Sequence, residues 1–232
     1  MPTVVLLRHG RSTANTAHVL AGRSRGVHLD DTGREQAERA AERLSGTRLA
    51  RIVTSPLERC RETARPLRRL HPDVRLSSDR GLVEVDYGGW TGRALKDLAK
   101  EKLWRVVQTQ PSAATFPDGE SLGAMSARVV SAVRRIDAAM DAEHGPSAVW
   151  VAVSHGDPIK AILADALGMH LDAFQRIHVE PGSISVVRYT PERPFVLMSN
   201  TTAGDLSGLT TPARKGARRS RATSDAVVGG GA

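Results

Sequence analysis

The sequence predicts an α/β fold, a three-layer α/β/α sandwich around a mostly parallel central sheet. Short apolar runs, which are typical of strands buried on both faces, alternate along the chain with segments of helical period. Strands that are separated by helices build a parallel sheet with helices on both faces. The 232 residues are enough for a single domain with its own hydrophobic core.

The elements of the first half follow from local signals. The continuous apolar run 4–7 predicts the first strand. Thr32 and Glu35 have the spacing of a capping box, so a helix is expected to begin there, with apolar residues recurring at helical period behind it. Residues 52–54 predict a second strand. Pro56 is expected to open the next helix, because the first N–H of a helix needs no partner.

The second half of the chain repeats the alternation. A helix is expected to begin at Asp157-Pro158, and Pro191 and Pro194 are expected to lie in a turn between two late strands. The other elements are a long helix over 121–143 and strands over 148–153, 184–187 and 195–197.

The chain divides into one domain, residues 1–203, and a basic C-terminal tail, residues 204–232. Residues 206–232 hold five Lys or Arg and one Asp, which is a net charge of +4 and half of the chain's +8. The tail is rich in Gly, Ser, Thr and Arg and has no sustained apolar period, so we expect it to be disordered. The mild charge of the domain does not indicate a nucleic-acid-binding domain, and only a weak, salt-sensitive association of the tail with nucleic acid or acidic lipid is left open.

Several classes of protein are excluded at this point. No run of about 18 apolar residues predicts a membrane span, and the N-terminal apolar run lacks the basic flank of a signal peptide. The single cysteine, Cys60, cannot form an intramolecular disulfide and fits a reducing compartment. We therefore expect a cytoplasmic protein without membrane partners, and the sequence leaves a homodimer open.

Polar segments follow three of the predicted strands, at 7–12, 54–59 and 153–158. Ligands of parallel sheets bind at the carboxyl ends of the strands, so we expect these segments to form one site. They supply histidines, arginines and small residues. Arginine binds phosphate oxygens in a bidentate manner, and a neutral imidazole is a competent nucleophile towards phosphorus. The combination predicts phosphoryl transfer, which also needs a carboxyl group that can protonate the leaving alkoxide.

The same segments carry a resemblance to a known family. They read Leu-Arg-His-Gly-Arg-Ser at 7–12, followed by Asn15; LDDTGREQ at 29–36; Ser-Pro-Leu at 55–57, followed by Arg59; LVEVDYGGWTG at 82–92; and Ser-His-Gly at 154–156. In this order and spacing, over about residues 3–190, they resemble the phosphoglycerate-mutase-like branch of the histidine phosphatase superfamily. The resemblance makes 1–203 the catalytic domain and implies a small phosphomonoester as substrate.

The resemblance also implies roles for individual residues. His9 would be the nucleophile that becomes phosphorylated, and Glu84 would first protonate the leaving group and then activate water. A catalytic His155 would join two arginines as donors around the phosphate, Arg8 and Arg59. Further contacts to the phosphate or the leaving group would come from Ser12, Asn15, Gly22 and the backbone N–H of Gly156. No metal or organic cofactor is implied.

The chain departs from the phosphoglycerate mutases after the acid. There the Glu is followed by Arg-His-Tyr-Gly, whereas Glu84 is followed by Val-Asp-Tyr-Gly-Gly, and the segment after it is shorter. Asp86 would repel a second phosphate, which favours hydrolysis and leaves a phosphomutase as the alternative. Arg93 and Arg105 are candidate contacts to the substrate. A second alternative is a non-catalytic binding protein that uses the pocket or the basic tail.

Simpler explanations apply to some of these residues. His9 and His155 could be hydrogen-bonded core residues or metal ligands, although no HxH or HExxH spacing supports a metal. Asp86 could replace Glu84 as the acid. Packing roles are predicted for Trp90 and Cys60, and surface positions for Arg61 and Arg65. Cys60 is not expected to be a nucleophile, because a cysteine phosphatase would need an Arg at position 66, where this chain has Pro.

Overall fold

One six-stranded sheet forms the centre of the molecule. The computed structural model describes residues 2–204 and residue 206. In the order in which they lie across the sheet, the strands are β3 (Leu76–Ser78), β2 (Leu49–Thr54), β4 (Val149–Ser154), β1 (Thr3–Arg8), β5 (Ile184–Tyr189) and β6 (Pro194–Thr201). The first four are parallel, and β5 and β6 are antiparallel to their neighbours. The predicted mostly parallel sheet is confirmed.

Helices cover both faces of the sheet. They are α1 (Thr13–Thr16), α2 (Asp31–Arg43), α3 (Glu58–Leu70), α4 (Leu95–Leu98), α5 (Lys102–Thr109), α6 (Leu122–His144) and α7 (Gly156–Ala166), with short 3-10 turns at Arg80–Leu82, Gly88–Trp90, Pro111–Ala113 and Leu171–Arg176. Successive side chains of β1 point to opposite faces. Val4 and Leu6 therefore join the core beneath α6 and α7, whereas Val5 and Leu7 join the core beneath α2 and α3. This arrangement is the predicted three-layer sandwich.

Two predicted helix starts are wrong. The capping box at Thr32 does not form, because Asp30 precedes it and its carboxylate accepts a hydrogen bond from the Gly33 N–H at 2.8 Å, which makes Asp30 the N-cap of α2. Pro56 does not open α3 either, because Leu57 has an extended backbone and the helix begins only at Glu58.

Strand assignments failed at two points on the sheet's edges. The three-residue strand β3 was not predicted, because one leucine followed by two serines makes no strand pattern. Pro194 begins β6 instead of lying in the preceding turn; β6 is an edge strand, where a missing backbone N–H is tolerated.

Two glycines let the loop after β1 lie directly against the start of α2. A Cβ atom added to Gly33 would lie 1.9 Å from the Arg11 carbonyl oxygen, and one added to Gly10 would lie 2.3 Å from the Gly33 carbonyl oxygen. Both contacts are far shorter than van der Waals distance. No side chain fits between these backbones, so the close approach fixes the path of the loop that carries His9.

We expect Gly33→Ala to destabilise the fold by about 2 kcal/mol or more, because the backbone of 10–11 must move to admit the methyl group. The matched control is Gly123→Ala in α6, where the nearest atom to the added Cβ lies at 3.8 Å. That variant is expected to gain about 0.5–1 kcal/mol from helix propensity. Denaturant unfolding of both variants measures the difference, and equal stabilities would contradict the close approach.

The C-terminal end of the described chain is attached to the domain. Leu206 is 3% exposed and lies in the core beneath α2 and α3. Its N–H donates to the Arg43 carbonyl at 3.2 Å, and its carbonyl accepts from Thr47 Oγ1 at 3.0 Å. Residues 207–232, which hold most of the predicted tail, lie outside the described residues. None of the described helices is long and apolar enough to cross a membrane. The cytoplasmic location and the homodimer stay predictions.

Candidate active site

The carboxyl ends of three adjacent parallel strands bring the predicted segments together. His9 directly follows β1, His155 follows β4, and Ser55 follows β2 and leads into α3, which carries Arg59 in its first turn. The two histidine rings meet edge to face, with their centroids 5.2 Å apart. Both rings and the Arg59 side chain are buried. The sheet topology therefore brings the three predicted segments together at one edge.

The hydrogen bonds of His9 define which ring nitrogen is reactive. Nδ1 lies 2.7 Å from the Gly10 carbonyl oxygen, which can only accept, so Nδ1 carries the proton. Nε2 therefore holds the lone pair, and Arg59 Nε donates to it at 3.3 Å. Burial, followed by the charges of Arg59 and Arg8, lowers the pKa of His9 well below its ordinary value. The ring is neutral at physiological pH, as a nucleophile must be.

Two guanidinium groups lie beside this ring, that of the buried Arg59 and that of the half-buried Arg8. Arg59 Nη2 donates to the Gly22 carbonyl at 2.8 Å, and Arg8 Nη1 donates to the Val179 carbonyl at 2.5 Å. Arg59 Nη1 and Arg8 Nε are buried and have no hydrogen-bond partner within the described chain. Burial lowers the pKa of Arg8, although the charge of Glu84 opposes this shift. A buried charged donor without a partner is unfavourable, so the arrangement suits an anion that accepts from both groups.

His155 is held from two sides. Arg59 Nη2 lies 3.2 Å from its Nδ1 and can only donate, so Nδ1 accepts and the Nε2–H donates to Ser55 Oγ at 2.8 Å. Burial, followed by the charge of Arg59, lowers the pKa of His155 well below its ordinary value. The guanidinium between the two rings would also repel a divalent cation, so the charges at this site oppose a metal held by His9 and His155.

Glu84 lies in the loop after the 3-10 turn at Arg80–Leu82 and is 9% exposed. Its Oε1 accepts a hydrogen bond from the Val85 N–H at 3.0 Å. Burial, followed by the negative charge of Asp157, raises the pKa of Glu84 to about 7. Asp157 accepts a hydrogen bond from the Tyr87 hydroxyl at 2.8 Å. A carboxyl group with this pKa can both donate and accept a proton at neutral pH.

The four residues predicted to make further contacts have structural tasks as well. Ser12 is the N-cap of α1 and is bonded to Asn15, whose Oδ1 accepts from the Ser12 hydroxyl at 2.8 Å. Gly22 has a φ of +51° and directs its carbonyl at Arg59. Gly156 begins α7 beside the Arg8 guanidinium. Their contacts to a substrate stay predictions.

The remaining candidates lie as follows. Cys60 is buried, and burial raises the pKa of its thiol to about 12, so it is not a thiolate. Trp90 is buried against Phe116. Arg93 forms an ion pair with Glu101 at 2.7 Å. Three arginines are exposed: Arg61, Arg65 and Arg105. A substrate contact by Arg93 or Arg105 stays a prediction.

Sequence reasoning missed the groups that surround the loop of Glu84. Arg23 donates to the Glu84 carbonyl at 2.9 Å and forms an ion pair with Asp86 at 3.2 Å. The charge of Asp86, which argued against a second phosphate, is therefore partly offset. Glu120, far away in the sequence, binds Arg23 at 2.8 Å and Arg128 at 2.7 Å. The only local signal was that Arg23 directly follows Gly22.

A neutral imidazole with an unprotonated Nε2, beside two guanidinium groups at the carboxyl edge of a mostly parallel sheet, defines an enzyme of phosphoryl chemistry. The sequence profile of the histidine phosphatase superfamily (branch 1) matches residues 4–202. The chain belongs to this family.

Similar proteins agree with this assignment. The chain is 29% identical to phosphoserine phosphatase 1 of Hydrogenobacter thermophilus, covering 87% of this chain and 93% of that protein. It is 32% identical to the Cronobacter sakazakii protein named "Probable phosphoglycerate mutase GpmB", covering 92% and 97%. A solved structure of a mycobacterial glucosyl-3-phosphoglycerate phosphatase superposes with a TM-score of 0.76 at 25% identity, covering 85% and 98%.

Proposed function

We propose that the protein hydrolyses phosphomonoesters of small metabolites through a phosphohistidine on Nε2 of His9. The observation that carries the proposal is a pair of buried donors beside the neutral His9 ring, Arg8 Nε and Arg59 Nη1, which have no partner among the described residues. A phosphoryl group has oxygen atoms for both donors and a phosphorus atom for the lone pair of Nε2. Phosphoryl transfer needs mainly such positioning and charge neutralisation from the protein.

In the first step, the hydrogen bond from Arg59 Nε to His9 Nε2 breaks, and the lone pair of Nε2 forms a bond to phosphorus while the ester P–O bond breaks. The leaving oxygen takes the electron pair of that bond and receives the proton of the Glu84 carboxyl group. The ring becomes cationic, and its Nδ1–H remains bonded to the Gly10 carbonyl, which stabilises the charge. Arg8 and Arg59 bind the phosphoryl oxygens throughout this step.

In the second step, the Glu84 carboxylate takes a proton from a water molecule whose oxygen forms a bond to phosphorus. The P–N bond breaks, its electron pair returns to His9 Nε2, and inorganic phosphate leaves. Glu84 is protonated again and His9 is neutral, so the site is ready for the next substrate. The pKa of Glu84 of about 7 suits both directions of proton transfer at neutral pH.

A phosphomutase is the second candidate function. It is favoured by the similarity to the protein named as a phosphoglycerate mutase and by the ion pair of Asp86 with Arg23, which offsets the charge that would repel a second phosphate. A mutase returns the phosphoryl group from His9 to a second hydroxyl of the substrate instead of to water. The two functions share the first step and differ in the acceptor.

One experiment tests the proposal and separates these functions. The protein is incubated with a panel of phosphorylated metabolites that includes phosphoserine, 3-phosphoglycerate and glucosyl-3-phosphoglycerate, and both inorganic phosphate and isomerised products are measured. We expect stoichiometric release of phosphate and, after rapid quenching without acid, label on His9 from a labelled substrate. Isomer formation without phosphate release would favour the mutase. Absence of label on His9 during turnover would refute the phosphohistidine.

A further inference from the structure

We propose that Arg23 is a positioning residue for catalysis, which holds the acid Glu84 in place through the Glu84 backbone carbonyl. This inference rests on the proposed function, in which Glu84 protonates the leaving group. Each nitrogen of the Arg23 guanidinium donates to a protein group, which by itself would indicate a structural role only. The inference is that these bonds also affect the rate of the chemical step.

The Arg23 guanidinium joins three separate groups around the acid. Its Nε donates to the Glu84 carbonyl at 2.9 Å, its Nη1 to Asp86 Oδ2 at 3.2 Å, and its Nη2 to Glu120 Oε1 at 2.8 Å. Glu120 Oε1 also accepts from the Asp86 N–H at 2.9 Å. The planar fork of arginine fixes all three directions at once, which a lysine ammonium cannot do.

The carboxyl group of Glu84 depends on this backbone for its position. In the part of the chain that the structure describes, the one hydrogen bond that the carboxyl group makes is to the N–H of the next residue, Val85. No side chain among the described residues forms a hydrogen bond with it. The backbone at 83–86 therefore determines where the carboxyl group lies, and a shift of this backbone moves the acid by a similar distance. A misplacement of about 1 Å costs on the order of 100-fold in rate.

Arg23 also joins the acid to the phosphate-binding side of the pocket. It directly follows Gly22, whose carbonyl accepts from Arg59 Nη2 at 2.8 Å. The dipeptide Gly22-Arg23 thus holds Arg59 with its first residue and Glu84 with its second. Because Arg59 also bonds to His9 Nε2 before substrate binds, a short chain of hydrogen bonds joins the nucleophile to the acid in the free enzyme.

A second arginine supports the same loop in a different way. Arg128 of α6 donates to the carbonyls of Gly81 and Val83 at 2.9 and 3.0 Å and forms an ion pair with Glu120. Arg128 thus holds the backbone just before Glu84. Its own hydrogen bond to the Glu84 carbonyl is long, at 3.4 Å, whereas that of Arg23 is short, at 2.9 Å. Loss of Arg23 is therefore expected to displace the acid while the loop remains folded.

The test compares leaving groups. Dinitrophenyl phosphate needs little protonation of its leaving oxygen, whereas phenyl phosphate needs an acid. We expect Arg23→Ala to lower kcat/KM for phenyl phosphate by about 30-fold and for dinitrophenyl phosphate by less than about 3-fold. The matched control is Arg51→Ala, which breaks the ion pair of Arg51 with Glu143 on another part of the domain. The control is expected to leave the ratio of the two substrates unchanged.

Chemical rescue and a second variant complete the experiment. Arg23 is 34% exposed, so added ethylguanidinium can reach its place, and we expect it to restore turnover of phenyl phosphate in Arg23→Ala by about 10-fold. Arg23→Lys, which keeps the charge but not the fork, is expected to fall between the wild type and Arg23→Ala, and it carries the test if Arg23→Ala does not fold.

The possible results separate the two proposals. The positioning role would be overturned if an Arg23 variant lost kcat/KM equally for both substrates, or lost none, while the wild type hydrolysed both substrates and carried label on His9. A wild type that hydrolyses neither substrate and is not labelled would instead refute the proposed function. A selective loss for phenyl phosphate that ethylguanidinium relieves supports the inference.

Discussion

Replacement of His9 by alanine is expected to lower phosphomonoester turnover on the order of 10⁴-fold or more, because the variant lacks the atom that bonds to phosphorus. The buried donors of Arg8 and Arg59 remain in place. We therefore expect the variant to bind inorganic phosphate with an affinity within about 10-fold of the wild type. Phosphate release under single-turnover conditions and calorimetric titration with phosphate measure the two quantities.

The matched control for this variant is His178→Ala, which removes an exposed imidazole that lies 3.6 Å from Glu180. We expect it to keep the activity of the wild type, and thermal unfolding of both variants shows whether each is folded. If a folded His9→Ala protein turned over substrate at the rate of the wild type, the nucleophile would be another group and the proposed reaction would be wrong.

Replacement of Glu84 by glutamine is expected to have the second-largest effect. The amide cannot donate the proton that the leaving alkoxide needs, so kcat/KM for a poor leaving group such as phenol should fall by about 10²- to 10³-fold. For a good leaving group the first step remains fast, but no carboxylate is left to activate water. We expect a burst of one leaving group per enzyme, followed by slow turnover and accumulation of label on His9.

The pH dependence follows from the pKa of Glu84. The first step needs the protonated acid, so kcat/KM for phenyl phosphate is expected to fall as the pH rises through about 7. Glu84→Gln should lose this alkaline limb. Asp157→Asn removes a negative charge that raises the Glu84 pKa, so its limb should move to lower pH.

The matched control for the pH measurement is Asp97→Asn, which alters an exposed ion pair with Lys100. Its profile is expected to match that of the wild type. An alkaline limb that persists unchanged in Glu84→Gln would assign the titration to another group. A limb that stays in place in Asp157→Asn would show that burial alone sets the Glu84 pKa.

Much of the site could be predicted because a parallel sheet aligns the ends of its strands. Once strands were assigned before His9, Ser55 and His155, their side chains had to meet at one edge. The motifs fixed which of these residues to consider. The position of Glu84 came from the family resemblance alone, because no strand directly precedes it.

The rest depended on contacts between residues that are distant in the sequence. Arg23 and Glu120 are 97 positions apart, so no local pattern could join them. The raised pKa of Glu84 depends on Asp157 for the same reason. The start of α2 failed at short range, where Asp30 competed with Thr32 for the N-cap and both choices satisfied a local rule.

The attachment of Leu206 matters for any study of the basic C-terminal residues. A truncation after residue 203 would delete a side chain that fills the core beneath α2 and α3, together with the Gly204 carbonyl that accepts from Arg43 Nε at 2.9 Å. If such a shortened protein no longer bound nucleic acid or lipid, the cause could be either the missing tail or a destabilised domain. A stop codon placed directly after Leu206 removes every Lys and Arg of the tail and leaves these contacts intact.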